Sequence, residues 1–470
     1  MPIGDLLPEI VLLVGAVIIV LFASFAPHKH QAWAAGLALI ALALAAVFSL
    51  MQWQQPPMRT FSGVWALDTA AVATKLLVLL AGAIAVALSP DWMRRDRRHG
   101  EYYALCLFTL LGVIMMASAN DSMELVVGIL LSSTASYPLV AYHRGFAPAL
   151  EAGMKYFLIG ALTNSLLVVG VVLLFGLVGD TDYARTAQVL AASPNAAPLA
   201  LSVAVACIVL GLTFKLAAFP GHAWMPDVAQ SAPAPIAALL TVAPKVGAAV
   251  ALARFVSLLP ASQLWPVIVA LIAVVTMTLG NLAALKQTDV RRLLGWSSVS
   301  QSGYALMAVV VIGVEPQAPG ALLAFLAAYA LANLAAFAVV THLRGRTALE
   351  DYRGLGRTQS ITTLILILAL LSLVGIPPLA GFFGKFLLFK VTIASGYTWL
   401  AVVAAINTVL SLFYYLRVIA VTMFKPLAGE VHVLGTWSWL TMLTSGVLLI
   451  AASLGAEGGL VLAAVLGFVG

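Results

Sequence analysis

The stretch LGLTFKLAAFPGHAW, residues 210–224, begins as an apolar helix, then carries Lys215 and, shortly after it, Pro220. A simple membrane helix has no use for either. An ammonium group at the bilayer centre costs about 3 kcal/mol even on lenient insertion scales. Proline removes a backbone donor and frees carbonyls one turn back. In hydrocarbon those carbonyls need water or a neighbouring helix, so a break at that depth implies a polar, hydrated interior.

The rest of the chain shows that the setting is a membrane. Of its 470 residues, 63% are hydrophobic and 9% charged, whereas a soluble domain is about a quarter charged. Apolar runs of roughly 18 to 25 residues recur throughout, each able to cross about 30 Å of hydrocarbon as a helix. The alternating ten-residue segments of a membrane barrel do not appear. The runs predict fourteen spans, at 6–25, 32–52, 66–89, 101–118, 122–142, 155–178, 198–219, 233–258, 264–284, 292–313, 320–342, 361–392, 397–423 and 435–455. The apolar tail Gly458–Gly470 is too short to cross. With short connections only, residues 1–470 read as a single all-α polytopic membrane domain.

Cofactor chemistry is not written in this chain. Cys106 and Cys207 lie in apolar runs and supply no disulfide framework, zinc site or iron–sulfur site, so no metal is expected. No phosphate-cradling glycine loop or dinucleotide fingerprint occurs. Leu6–Phe25 lacks a basic leader and a cleavage site and reads as a retained helix. The net charge of +6 comes from loop lysines and arginines and is no nucleic-acid surface.

Those loop charges orient the chain. Odd-numbered loops carry Arg94, Arg95, Arg97 and Arg98, then Lys29, Arg144, Lys286, Arg291, Arg292, Arg344, Arg346, Arg353, Arg357 and Lys425. Even-numbered loops carry isolated basics such as Arg59 and Arg185 beside Asp121, Asp180, Asp182 and Glu315. By the positive-inside rule the odd loops are cytoplasmic and both termini lie outside. The seventh and twelfth spans are both interrupted, by Pro220 and by Pro377–Pro378 in GIPPLAG, and a lysine stands near each break, Lys215 and Lys385. Broken helices in matching places of two inverted halves mark a transporter site.

Six basic residues fall well inside spans: Lys75, Lys215, Lys245, Arg254, Lys385 and Arg417. Burial can lower a lysine's pKa by several units, which suits a proton relay; arginine stays charged and reads as a fixed counter-charge. Lys215, Lys245 and Lys385 form a candidate relay across the midplane. His222 fits a proton relay toward the cytoplasm or a helix-end cap. Lys75 and Arg417 fit structural pairing as well as function. In WSSVSQSGY, Ser297, Ser298, Ser300, Gln301 and Tyr304 offer hydroxyls and an amide between the lysines. Apart from Glu124, near the outer end of the fifth span, no carboxylate reads as lying at midplane depth.

These residues carry a resemblance. GLTFKLAAFPGHAWMPDV (211–228) with APAPIAALLTVAPK (232–245), KQTDVRRLLGWSSVSQSGYAL (286–306) and GIPPLAGFFGKFLLF (375–389) resemble the antiporter-like, proton-translocating subunits of respiratory complex I. LLPEIVLLVGA (6–16), EAGMKYFLIGAL (151–162) and FYYLRVI (413–419) point within that family to the subunit N branch of bacterial NADH–quinone oxidoreductase. The resemblance implies fourteen transmembrane helices with two inverted five-helix repeats, each holding a broken helix, here 101–258 and 264–423. It implies a membrane-arm subunit of a translocase in the bacterial inner membrane, coupling quinone reduction to proton transfer, with other membrane-arm subunits as partners. FMN, iron–sulfur clusters and quinone would then sit on other subunits. Family lysines fall on Lys215, Lys245 and Lys385, and supporting positions on Lys155 and Lys75. Two alternatives are a subunit of a membrane-bound hydrogenase or cation/proton antiporter, and a structural subunit that has lost pumping.

Three positions depart from the family pattern. The fifth-helix glutamate that would pair with the seventh-helix lysine falls on Leu130, and Glu124 is out of register to replace it. Gln230 stands where an acidic residue is usual, and Gln301 where histidine is frequent. Without its anion, Lys215 is expected to release its proton more easily and under less control.

Overall fold

A computed structural model describes residues 3–94, 96, 99–192, 198–260, 265–427, 429, 431–455 and 466–468. Arg95, Arg97, Arg98 and most of the tail Gly458–Gly470 lie outside the described residues. The first half of the chain contains α1 (Leu7–Phe25), α2 (Trp33–Trp53), α3 (Thr69–Met93), α4 (Gly100–Ser118), α5 (Ser122–Val140) and α6 (Ala147–Val178). A short α7 (Tyr183–Ala192) precedes α8 (Pro198–Leu216), α9 (Trp224–Ser231), α10 (Ala234–Ser257) and α11 (Trp265–Leu285). Then follow α12 (Val290–Val310), α13 (Ala318–His342), α14 (Leu355–Thr358), α15 (Ser360–Val374), α16 (Ala380–Ala394), α17 (Thr398–Phe424) and α18 (Thr436–Leu454). One hairpin, β1 (Met58–Thr60) with β2 (Trp65–Leu67), joins α2 to α3.

Twelve of these helices are long and apolar enough to cross a membrane. The two remaining expected spans are explained by their polarity and their break. α12 covers the tenth span, but four serines and Gln301 dilute its hydropathy. The twelfth span is divided into α15 and α16. The sixth begins earlier than expected, since Pro148 opens α6 in its first turn and adds two turns before Lys155.

Aspartates set several helix starts. Asp68 accepts the Ala71 amide at 2.7 Å, Asp121 accepts that of Met123 at 2.7 Å, and Asp289 that of Arg292 at 2.8 Å. Each satisfies an orphan donor of a first turn. α10 is buried from Ala234 to Val256, and α12 and α13 nearly throughout. α10 is in contact with α3, α4, α8, α12 and α13, so its one lysine lies at the centre of the protein.

Candidate functional site

Both helix breaks close in the same way. α8 ends at Leu216, Ala217 takes a left-handed conformation with φ 54°, and the Ala218 amide reaches back to the Thr213 carbonyl at 2.9 Å. α15 ends at Val374, Gly375 has φ 92°, and the Ile376 amide reaches the Leu371 carbonyl at 3.2 Å. This is the Schellman closure, in which glycine is the usual left-handed residue. Pro220, Pro377 and Pro378 all lie in the turns that follow. Gly381 is also required, because a Cβ there would stand 1.8 Å from the Ser372 carbonyl oxygen.

The freed carbonyls find protein donors. Trp224 Nε1 donates to Phe214 O at 3.0 Å, and Ser302 Oγ donates to Leu216 O. At the second break Gln301 Nε2 donates to Leu373 O at 3.0 Å, and Lys385 Nζ to Val374 O at 2.9 Å. The two lysines are therefore placed differently: Lys215 lies on the helix before its break and Lys385 on the helix after.

All three candidate relay lysines are buried, Lys215 and Lys245 at 0% exposure and Lys385 at 4%. Lys215 Nζ donates to the hydroxyls of Ser132 and Tyr156, both at 3.4 Å. Lys245 Nζ donates to Ser298 Oγ at 2.7 Å and to the Ser298 carbonyl, and lies 4.8 Å from the centre of the Tyr329 ring. Lys385 Nζ lies 4.3 Å from the Tyr304 ring centre. Each ammonium is held by neutral dipoles and an aromatic face, with no carboxylate among these partners.

One face of α12 touches Lys245 and both breaks. Ser298, Gln301 and Ser302 are spaced to share a face. Ser302 Oγ reaches the first break at Leu216 O and also approaches Ser298 O at 3.2 Å, the carbonyl that accepts from Lys245. Gln301 reaches the second break. Ser298 Oγ joins Tyr329 OH at 2.8 Å, which donates to Thr241 O at 2.8 Å. Tyr304 contributes its ring to Lys385 and its hydroxyl to Thr408 at 3.0 Å. Ser297 turns away to Tyr415 OH.

Leu130 has a simpler role than expected. It is 40% exposed on the outer flank of α5, and the α5 residue facing Lys215 is Ser132. They are two positions apart, about 200° around the helix, so a carboxylate at 130 would project away from Ser132's side. Ser132, Ser133 and Ser136 form a hydroxyl face with Tyr156 and Asn164: Ser136 Oγ lies 3.0 Å from Tyr156 OH and Asn164 Nδ2 donates to Ser133 Oγ at 3.2 Å.

The supporting candidates divide. His222 sits against Phe219 and Trp296, with its Nδ1 buried and without a hydrogen-bond partner. Lys155 is half-exposed and bound to Glu151 at 2.7 Å and Asp227 at 2.9 Å; Asp227 also holds Arg292, which takes Gln230 Oε1 at 2.9 Å. This network ties α6 and α12 through α9. Arg417 caps the end of α11, donating to Leu285 O at 2.9 Å and to Gln287 O. Glu124 is half-buried in the first turn of α5, its amide bound to Asp121.

Two buried carboxylates escaped sequence reading. Glu9 in α1 pairs with Lys75 of α3 at 2.7 Å, and Asp68 pairs with Arg254 of α10 at 2.6 Å. Both stand at helix starts, where an acid normally signifies capping; only a match of each to a distant basic residue would have exposed them.

The sequence pattern of the family NADH:quinone oxidoreductase/Mrp antiporter, TM matches residues 119–411. NADH-quinone oxidoreductase subunit N of Mycobacterium sp. (strain JLS) is 42% identical over 413 residues, covering 88% of this chain and 87% of that protein. The chain belongs to the subunit N family. Subunit N 1 of Streptomyces griseus subsp. griseus is 41% identical over 457 residues, covering 96% of this chain and 95% of its own length. A chain of respiratory complex I from Thermus thermophilus with bound aureothin superposes with a TM-score of 0.83 at 32% identity, over 98% of this chain and 100% of that one. A chain of the Mrp complex from Dietzia sp. DQ12-45-1b shares the fold, with a TM-score of 0.87 at 19% identity over 99% and 97% of the two chains.

Proposed function

We propose that this subunit N family member is a membrane-arm subunit of a bacterial NADH–quinone oxidoreductase that moves protons through Lys215, Lys245 and Lys385. The observation that carries the reading is the polar face of α12, which connects Lys245 to the first break through Ser298 and Ser302 and touches the second through Gln301. FMN, iron–sulfur clusters and quinone belong to other subunits, and quinone reduction there changes the charge presented to this chain. Protons are taken up near His222, rest on Lys215, pass Lys245 and leave by Lys385. The matching closures at Ala217 and Gly375 support two inverted repeats, 101–258 and 264–423. The family supports placement in the cell inner membrane, and the loop charges support both termini on the periplasmic side.

Neutral hydroxyls around Lys215 make a particular control possible. With Ser132 and Tyr156 as partners, its proton affinity is set by burial and by charges that arrive from outside the bundle. The test is proton uptake per electron pair in proteoliposomes holding the intact complex, native against Lys215→Met. Uptake is expected to fall together with coupled turnover. Unchanged uptake in an assembled complex would overturn the reading in favour of a structural subunit.

A further inference from the structure

We propose that the buried Glu9–Lys75 pair between α1 and α3 is a second proton outlet, passing protons from the centre of the chain toward the surface at Asp5. The inference rests on the proton-moving reading above and adds a route outside the three-lysine chain.

The geometry differs from that of a pair whose only task is to hold two helices together. Lys75 is fully buried and Glu9 is 5% exposed, with Nζ 2.7 Å from Oε1. Lys75 also donates to Gln52 Oε1 at 3.1 Å, and the Trp65 ring centre lies 5.7 Å from Nζ. Glu9 Oε2 is buried without a hydrogen-bond partner, as are Trp65 Nε1 and Ser118 Oγ. A structural ion pair repays its desolvation only when its remaining lone pairs are satisfied. Here the carboxylate keeps an acceptor free, which is where a moving proton can be received.

A polar path leads outward. The Gln52 amide that accepts from Lys75 donates from its other end to Asp5 O at 2.7 Å. Thr60 of the hairpin donates to Asp5 Oδ2 at 2.6 Å, and Asp5 is half-buried at the end of the bundle. The inner side faces the relay. α3 is in contact with α10, and the Arg254–Asp68 pair fixes their register. Lys75 then stands about 10 Å along its helix from Asp68, and Lys245 about 14 Å from Arg254, so the two lysines lie at similar depth. Charged groups around the pair include Asp5, the Asp68–Arg254 pair, and Glu124, which is within electrostatic reach of Glu9.

The step conserves charge. The Lys75 ammonium gives one proton to the Glu9 carboxylate, leaving a neutral amine and a neutral acid. Glu9 releases that proton outward past Asp5, and a proton from the Lys245 side restores the Lys75 ammonium.

The test uses the intact complex in proteoliposomes. Glu9→Gln is expected to lower the proton-to-electron ratio below native while quinone reduction continues, and the apolar pair Glu9→Met/Lys75→Met to lower it equally. A native ratio in either variant overturns the outlet, since a purely structural pair tolerates apolar replacement. Where Glu9→Gln fails to assemble, infrared difference spectra under turnover decide: a protonated-carboxyl band that moves in Glu9→Asp supports the outlet, and no such band overturns it. A fall in Lys215→Met with a native ratio in Glu9→Gln removes this inference alone; no effect of Lys215→Met removes the proton-moving reading itself.

Discussion

Replacing Lys245 with methionine is expected to abolish this chain's share of coupled proton uptake while leaving the protein folded. The side chain is completely buried at the middle of the central helix, and its ammonium is held by Ser298 and the face of Tyr329. Methionine fills a similar volume. The surrounding bonds persist without the ammonium, because Ser298 Oγ remains joined to Tyr329 OH and Tyr329 OH to Thr241 O, both at 2.8 Å. The structural cost is therefore small, whereas a positioned proton carrier contributes about 100-fold or more to the rate of the step it serves. Lys245→Arg separates charge from proton transfer. Arginine keeps the cation but does not release its proton, so it is expected to fail as methionine does. Native uptake in either variant, measured per electron pair in proteoliposomes, would contradict the role.

Asp68→Leu is expected to produce the largest loss of stability, about 3–5 kcal/mol from the orphaned Arg254 and about 1 kcal/mol from the missing cap. Arg254 is 3% exposed and Asp68 2%, and the carboxylate also accepts the Ala71 amide that starts α3. Arg254 keeps one further bond, from Nε to Ala117 O at 3.0 Å, which cannot neutralise it. The double variant Asp68→Leu/Arg254→Met is expected to recover most of the loss, since a buried pair replaced by apolar groups is often neutral. The thermal midpoint of the detergent-solubilised complex reads both effects. A double variant no more stable than Asp68→Leu would show that the pair is not the source of the loss.

Much of this was legible in the sequence because hydrocarbon makes polar residues conspicuous. Lys215, Lys245 and Lys385 stand out against apolar surroundings, and the two proline turns mark both breaks. The serines of α12 were readable as a polar lining, and the structure adds that Ser298, Gln301 and Ser302 carry the links while Ser297 turns elsewhere. The same serines explain why α12 falls short of the hydropathy of its neighbours although it is buried.

What sequence could not provide was the pairing of distant residues. Glu9 and Lys75 are 66 positions apart, and Asp68 and Arg254 are 186 apart. Each acid reads locally as a favourable charge at a helix start. Arg417 illustrates the converse: it reads as lying well inside a span, yet it caps a helix end. Leu130 needed helix rotation as well as register, and its place on the outer flank makes Ser132 the α5 residue that faces Lys215.

The polar face of α12 as the link between Lys245 and the first break is best examined by proton uptake per electron pair in proteoliposomes carrying Ser298→Ala/Ser302→Ala. These changes leave all three lysines in place and remove only the hydroxyls between Lys245 and the first break. Uptake below native, with quinone reduction continuing, is the expected result. Native uptake in the assembled complex would contradict the link, and would mean that protons cross this chain without the Ser298 and Ser302 hydroxyls.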